Sequence, residues 1–138
     1  MTDYLTLDDV CGLHANVMRR TGFLPAPVRD VGALESAIMR PQTVAHYEGA
    51  DLLTQAVTLM LAISQAQAFV DGNKRTAMFA ALVFLELNGC PFDGNDELLA
   101  VLLEEAASRP HDEASTTIVE WMRPQIVAQR DESDAPRP

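Results

Sequence analysis

The sequence predicts an all-α bundle of about six helices around two central ones, and three observations predict it. Apolar residues recur at three- and four-residue spacing almost throughout, and strand patterning is nearly absent. Two consecutive segments, about 51–67 and 74–88, are apolar on most sides, as helices at the centre of a bundle are. The chain has 138 residues, enough for one core and too few for two ordinary ones. Residues 1–128 read as a single helical domain. Residues 129–138 (QRDESDAPRP) have almost nothing to bury and read as a flexible tail.

Each element follows from local signals. Thr6 ahead of Asp8 and Asp9 reads as an N-cap with acids in the first turn. Val10, Leu13 and Val17, with His14 beside them, then form one stripe of a first helix that ends near Thr21-Gly22. Asp30 caps a short second helix carrying Leu34, Ala37 and Ile38, which Pro41 is expected to stop. Residues 41–50 (PQTVAHYEGA) show no clear helical period and read as a loop or short β-hairpin. A third helix covers about 51–67, with Leu52, Ala56, Leu59, Met60 and Ile63 inward. The pattern breaks from Phe69 to Asn73. A fourth helix covers about 74–88, where Asn88-Gly89 followed by Pro91 stops it. Two amphipathic helices follow, over about 96–108 and 115–128, the second kinked or shortened by Pro124.

Charge narrows the function classes. Lys and Arg number 10 against 20 Asp and Glu, a formal charge of −10. Such a surface repels a phosphate backbone and anionic lipid, so neither direct DNA binding nor a membrane surface is expected. Cys11 and Cys90 make neither a disulfide framework nor a zinc spacing, and the first residues carry no basic n-region of a signal peptide. A cytoplasmic location is the expectation. The apolar stretch 52–70 contains Gln55, Ser64, Gln65 and Gln67 between Asp51 and Asp71, which suits a buried helix rather than a membrane span.

The informative segment is 67–77 (QAFVDGNKRTA), between the two most apolar helices. Gly72 permits a left-handed turn and a close backbone approach to a ligand. The first N–H groups of the following helix are unpaired donors of the kind that bind phosphate. Cations in a first helical turn oppose the macrodipole, so Lys74 and Arg75 make better sense with an anion in front of them. Asp71 beside a polyphosphate is placed to hold Mg²⁺, which binds one or two carboxylates plus phosphates. Lys74 is also the only lysine in the chain. The plainer reading is an ordinary Asp-Gly-Asn turn and helix cap with two solvated cations.

The run Phe69-Val70-Asp71-Gly72-Asn73-Lys74-Arg75 resembles the signature of the Fic/Doc family, in its death-on-curing (Doc) branch. The family pattern is His, any residue, Phe, any residue, Asp or Glu, Gly or Ala, Asn, then Gly-Arg in the Fic branch or Lys-Arg in the Doc branch. The segment from Ala81 to Gly89, the run Leu34-Glu35-Ser36-Ala37, Arg40-Pro41-Gln42 and Leu13-His14 are also similar, so the resemblance spans about residues 5–125. It implies a toxin of a toxin–antitoxin pair, with an antitoxin protein as partner. It implies kinase-like transfer of a phosphoryl group from ATP to a hydroxyl of a target protein, of the translation-factor class. By the same resemblance Asp71 would hold Mg²⁺, Gly72 and Asn73 would bind phosphate, and Lys74 and Arg75 would neutralise charge. His46 and Tyr47 would lie in a flap, at about 41–50, that aligns the target segment.

One departure bears on activity. The family's catalytic histidine, two residues before the Phe, is here Gln67. A neutral amide cannot act as a general base, and losing one typically costs about 10²- to 10⁴-fold. The chain is therefore expected to be inactive as it stands, whether as a degenerate member or as an inactivated toxin. The alternatives are an AMP-transferring Fic-type enzyme and a catalytically dead nucleotide- or partner-binding pseudoenzyme.

Overall fold

Side-chain caps decide where most of the helices begin. Thr6 Oγ1 accepts from the Asp9 N–H at 3.1 Å and Asp9 Oδ2 accepts from the Thr6 N–H at 2.8 Å, a closed capping box. Asp30, Asp51 and Asn95 likewise accept from the N–H groups of Ala33, Thr54 and Leu98. The computed structural model describes residues 1–22, 24 and 27–127. Its elements are α1 (Leu7–Arg20), α2 (Val31–Glu48), α3 (Leu52–Ala66), α4 (Asn73–Leu87), α5 (Asp96–Ala106) and α6 (His111–Met122). A 3-10 turn over Arg123–Gln125 follows α6. The described residues thus form an all-helical bundle, with two isolated β-bridges and no strand.

The centre is α3, with α2 and α4 packed on it, α1 across α4, α6 on α3 and α5 on α4. From α3 come Ala56, Val57, Leu59, Met60 and Ile63, all buried, and from α4 come Ala77, Ala80, Ala81, Phe84 and Leu85. Alanines on the meeting faces let the two backbones approach closely. The expectation of two central helices is met, and the turn between them is held from both sides by the core.

Three expectations need correction. Residues 41–48 are helical, so the anticipated loop or hairpin at 41–50, and with it the flap placing His46 and Tyr47, is absent. Pro41 lies inside α2 because Leu34, Ala37, Ile38 and Pro41 form one buried stripe at i, i+3, i+4 and i+7, and burial outweighs the local cost of the proline. The stop comes at Gly49, whose φ of 63° is the left-handed cap that a side chain resists. The last helix starts at His111 rather than near 115, with Asp112 and Glu113 in its first turn. Pro124 then ends it as a 3-10 turn. The expected tail at 129–138 lies outside the described residues.

Phe69 is fully buried at the turn between α3 and α4. Phe69→Ala is expected to cost about 3–5 kcal/mol, from lost transfer energy plus the cavity left behind. Urea denaturation reads this directly, and an unchanged midpoint would show that the turn is held by solvent instead of the core.

Candidate functional site

The turn from Gln67 to Gly72 is tied by main-chain and side-chain bonds together. Asn73, at the first position of α4 and only 8% exposed, accepts from the Phe69 N–H at 3.0 Å through Oδ1 and donates to the Phe69 carbonyl at 2.8 Å through Nδ2. The preceding segment adds a β-bridge between Val28 and Phe69, with the Arg29 N–H donating to the Ala68 carbonyl at 2.7 Å. Arg29 Nη2 also donates to the Gln67 carbonyl at 2.6 Å. These ties hold Gln67 at φ 51°, a left-handed conformation found at no other non-glycine residue among those described. Gly72 has φ 80°, a conformation that calls for glycine, and a Cβ there would come within 3.0 Å of Met18 Sδ.

Beyond this turn α4 opens without a side-chain cap. The N–H groups of Asn73, Lys74 and Arg75 have no intrahelical acceptor, by the geometry of any helix start. These three residues, with Gln67, Asp71 and Gly72, line a cleft of about 430 Å³ together with Val17 and Met18 of α1 and its C-cap Thr21. The residues singled out at 67 and 71–75 are therefore brought together in one cleft. His46 and Tyr47 are not among its lining residues. They sit in the last turn of α2, ring against ring at 4.7 Å, both exposed.

The side chains differ in how free they are. Arg75 is exposed and makes no ion pair or hydrogen bond with the described residues. Lys74 Nζ meets the Glu104 carboxylate of α5 at 2.5 Å, with both side chains substantially exposed. An exposed pair of this kind is worth at most about 1 kcal/mol, so a multiply charged anion displaces it cheaply. Asp71 is exposed, and its Oδ1 accepts from the Gly72 N–H at 2.7 Å. Asn73's amide is spent on Phe69, so what it can offer an anion is its main-chain N–H. Gln67 turns its Nε2 onto the Ser64 carbonyl at 2.8 Å, while its Oε1 lies 3.5 Å from Asn73 Nδ2.

Three supporting residues escaped the sequence reading. Arg29 and Glu104 have no local signal, because their partners lie 38 and 30 positions away. His14 was legible as part of the α1 stripe, but its role was not. It is 3% exposed and stacks on Phe69 with centroids 3.8 Å apart and planes 7° apart, and its Nε2 lies 2.9 Å from the Asp71 carbonyl.

The sequence profile of the Fic/DOC family matches residues 4–85. A protein named Toxin Doc from Mycolicibacterium smegmatis is 38% identical over 118 residues, covering 81% of this chain and 86% of the relative. A protein named Protein kinase doc from Escherichia phage P1 is 35% identical over 96 residues, covering 69% of this chain and 75% of the relative.

The Asn73 amide yields a sharp test. Asn73→Ala strands a buried Phe69 N–H and carbonyl, each costing about 1–3 kcal/mol to leave unpaired. A loss of at least about 2 kcal/mol is expected in denaturant titrations, with amide exchange at Phe69 accelerated by more than the global loss accounts for. A stability within experimental error of wild type would mean that the turn closes without this side chain.

Proposed function

The chain belongs to the Fic/DOC family, and from that premise we propose that it is a Doc-type toxin of a toxin–antitoxin pair. Its cleft is built to hold a nucleotide for phosphoryl transfer to a hydroxyl of a target protein, and Gln67 halts the proton transfer. The carrying observation is the uncapped start of α4, with Lys74 and Arg75, opening into the cleft beside Asp71. Helix N-termini of this kind bind phosphate through main-chain N–H groups and the positive end of the macrodipole.

Each residue then has a defined task. The N–H groups of Asn73, Lys74 and Arg75 receive phosphate oxygens. The Arg75 guanidinium, free of any described partner, neutralises charge as transfer proceeds, and Lys74 joins it once Glu104 is displaced. Gly72 lets the backbone approach the phosphates closely. The metal follows from the donor set: among the described residues no three His, Cys, Asp or Glu side chains converge on one point. Asp71, a single exposed carboxylate, fits Mg²⁺ that arrives with phosphate and water oxygens, and does not fit a metal held by protein alone. Mg²⁺ bound there would supply charge neutralisation on the phosphates.

The donor is ATP in this reading. Lys-Arg at 74–75 matches the Doc branch, and the phage P1 relative carries the word kinase in its name, so phosphoryl transfer is favoured over transfer of AMP. A translation factor is the proposed target class, a separately encoded antitoxin the partner, and the cytoplasm the setting. No helix among the described residues is long and apolar enough to cross a membrane.

Gln67 itself favours a second reading, a pseudoenzyme that binds nucleotide or partner and does no chemistry. Its amide has no useful proton affinity and is bonded to Ser64. An imidazole, with an unperturbed pKa near about 6.5, is the side chain suited to deprotonating a hydroxyl at neutral pH.

Two outcomes follow. Titration calorimetry should detect weak binding of Mg·ATP that Arg75→Ala abolishes. Heat absent up to millimolar nucleotide, or binding that survives Lys74→Ala combined with Arg75→Ala, would remove the phosphate site from this turn. Gln67→His should make the protein toxic when expressed without antitoxin and should transfer label from γ-labelled ATP to a cellular protein. Gln67→His combined with Asp71→Ala should be harmless. If Gln67→His is itself harmless and labels nothing from γ- or α-labelled ATP, the pseudoenzyme reading stands instead.

A further inference from the structure

We propose that His14, outside the motif and on a different helix, is a positioning residue that sets the direction of the Asp71 carboxylate. The inference rests on the reading of Asp71 as the metal-binding carboxylate. Because a carbonyl oxygen only accepts, the 2.9 Å contact requires that His14 Nε2 carries a proton and donates it to the Asp71 carbonyl. That carbonyl and the Gly72 N–H are the two ends of one planar peptide unit. The N–H end donates to Asp71 Oδ1 at 2.7 Å. Fixing the carbonyl end therefore fixes the N–H end, and through it the carboxylate.

His14 is itself held in place by burial and stacking. It is 3% exposed, and its ring lies flat on the fully buried Phe69. Gly72 lies against the ring: a Cβ there would be in ordinary contact with His14 Cδ2, at 3.5 Å. One and two turns along the same face of α1, Val17, Met18 and Thr21 line the cleft. Hence α1 supplies both a wall of the cleft and the donor that orients its carboxylate. Stacking alone would be satisfied by any flat apolar ring; the bond to the Asp71 carbonyl requires a donor.

The test compares ATP binding with and without Mg²⁺. Wild type should bind Mg·ATP more tightly than ATP in excess chelator, and Asp71→Asn should remove that difference. His14→Phe keeps the stack and loses the donor. It should reduce the Mg²⁺-dependent gain by about five- to tenfold, the worth of one hydrogen bond, while affinity for metal-free ATP stays within about twofold. Added to Asp71→Asn, it should change nothing further. His14→Gln, which can still donate, should recover part of the gain. A His14→Phe protein that keeps the full gain, or that weakens metal-free and Mg·ATP alike, overturns the positioning role. No Mg²⁺-dependent gain in wild type removes the metal reading of Asp71 and this inference with it. Should His14→Phe not fold, ¹⁵N-histidine spectra of the wild type decide. Nε2 of His14 should be protonated and shift on saturation with Mg·ATP but not with ATP in chelator, and an unchanged resonance overturns the proposal.

Discussion

The Asn73 side chain, bonded to both polar groups of Phe69, is the constraint on which the rest depends. A turn between two buried helices would otherwise leave main-chain groups without water or partner, a cost that native proteins avoid. By satisfying Phe69 from α4, Asn73 lets the chain leave α3, pass through a left-handed Gln67 and a left-handed Gly72, and enter α4 within six residues. The aromatic ring is then clamped between the core and His14. Arg29 ties the Gln67 carbonyl from outside the turn, and Asp71, Lys74 and Arg75 remain at its surface.

The charge arrangement is informative against the background of the whole chain. At −10 overall, the protein places two of its ten cations at the start of a helix, where the macrodipole disfavours them. Four other helices start with a side-chain cap, each worth about 1 kcal/mol. At α4 Gly72 supplies none. Stability is forgone at the one helix start where three N–H donors and two cations share a cleft with a carboxylate. The Lys74–Glu104 pair tempers this, since α5 provides an anion in the absence of any ligand. Exposed on both sides, the pair is worth at most about 1 kcal/mol.

Much of this was legible in the sequence because it is local. Periodicity gave the bundle and its two central helices, and the cap residues Thr6 and Asp30 gave two starts. The crowding of Asp71, Gly72, Asn73, Lys74 and Arg75 singled out the turn that lines the cleft. What failed depended on distance or on competition between local and tertiary terms. Pro41 reads as a stop by its own chemistry, yet the buried stripe through Leu34, Ala37 and Ile38 continues past it. Nothing along the chain marks that the Asn73 side chain turns inward to Phe69, which leaves its main-chain N–H as the group it can offer an anion. Arg29, His14 and Glu104 reach the turn from 30 or more positions away, and a pattern along the chain carries no trace of such pairings.

The central claim is that the start of α4 is a phosphate site already assembled in the protein, lacking only a base beside it. Backbone ¹H–¹⁵N spectra recorded through a titration with Mg²⁺ and a non-hydrolysable ATP analogue test it most directly. The account predicts that the amides of Gly72, Asn73, Lys74 and Arg75 move first and furthest, with smaller shifts at Val17, Met18 and Thr21 across the cleft. Shifts concentrated elsewhere on the protein, with the amides of 72–75 unmoved at saturation, would contradict it.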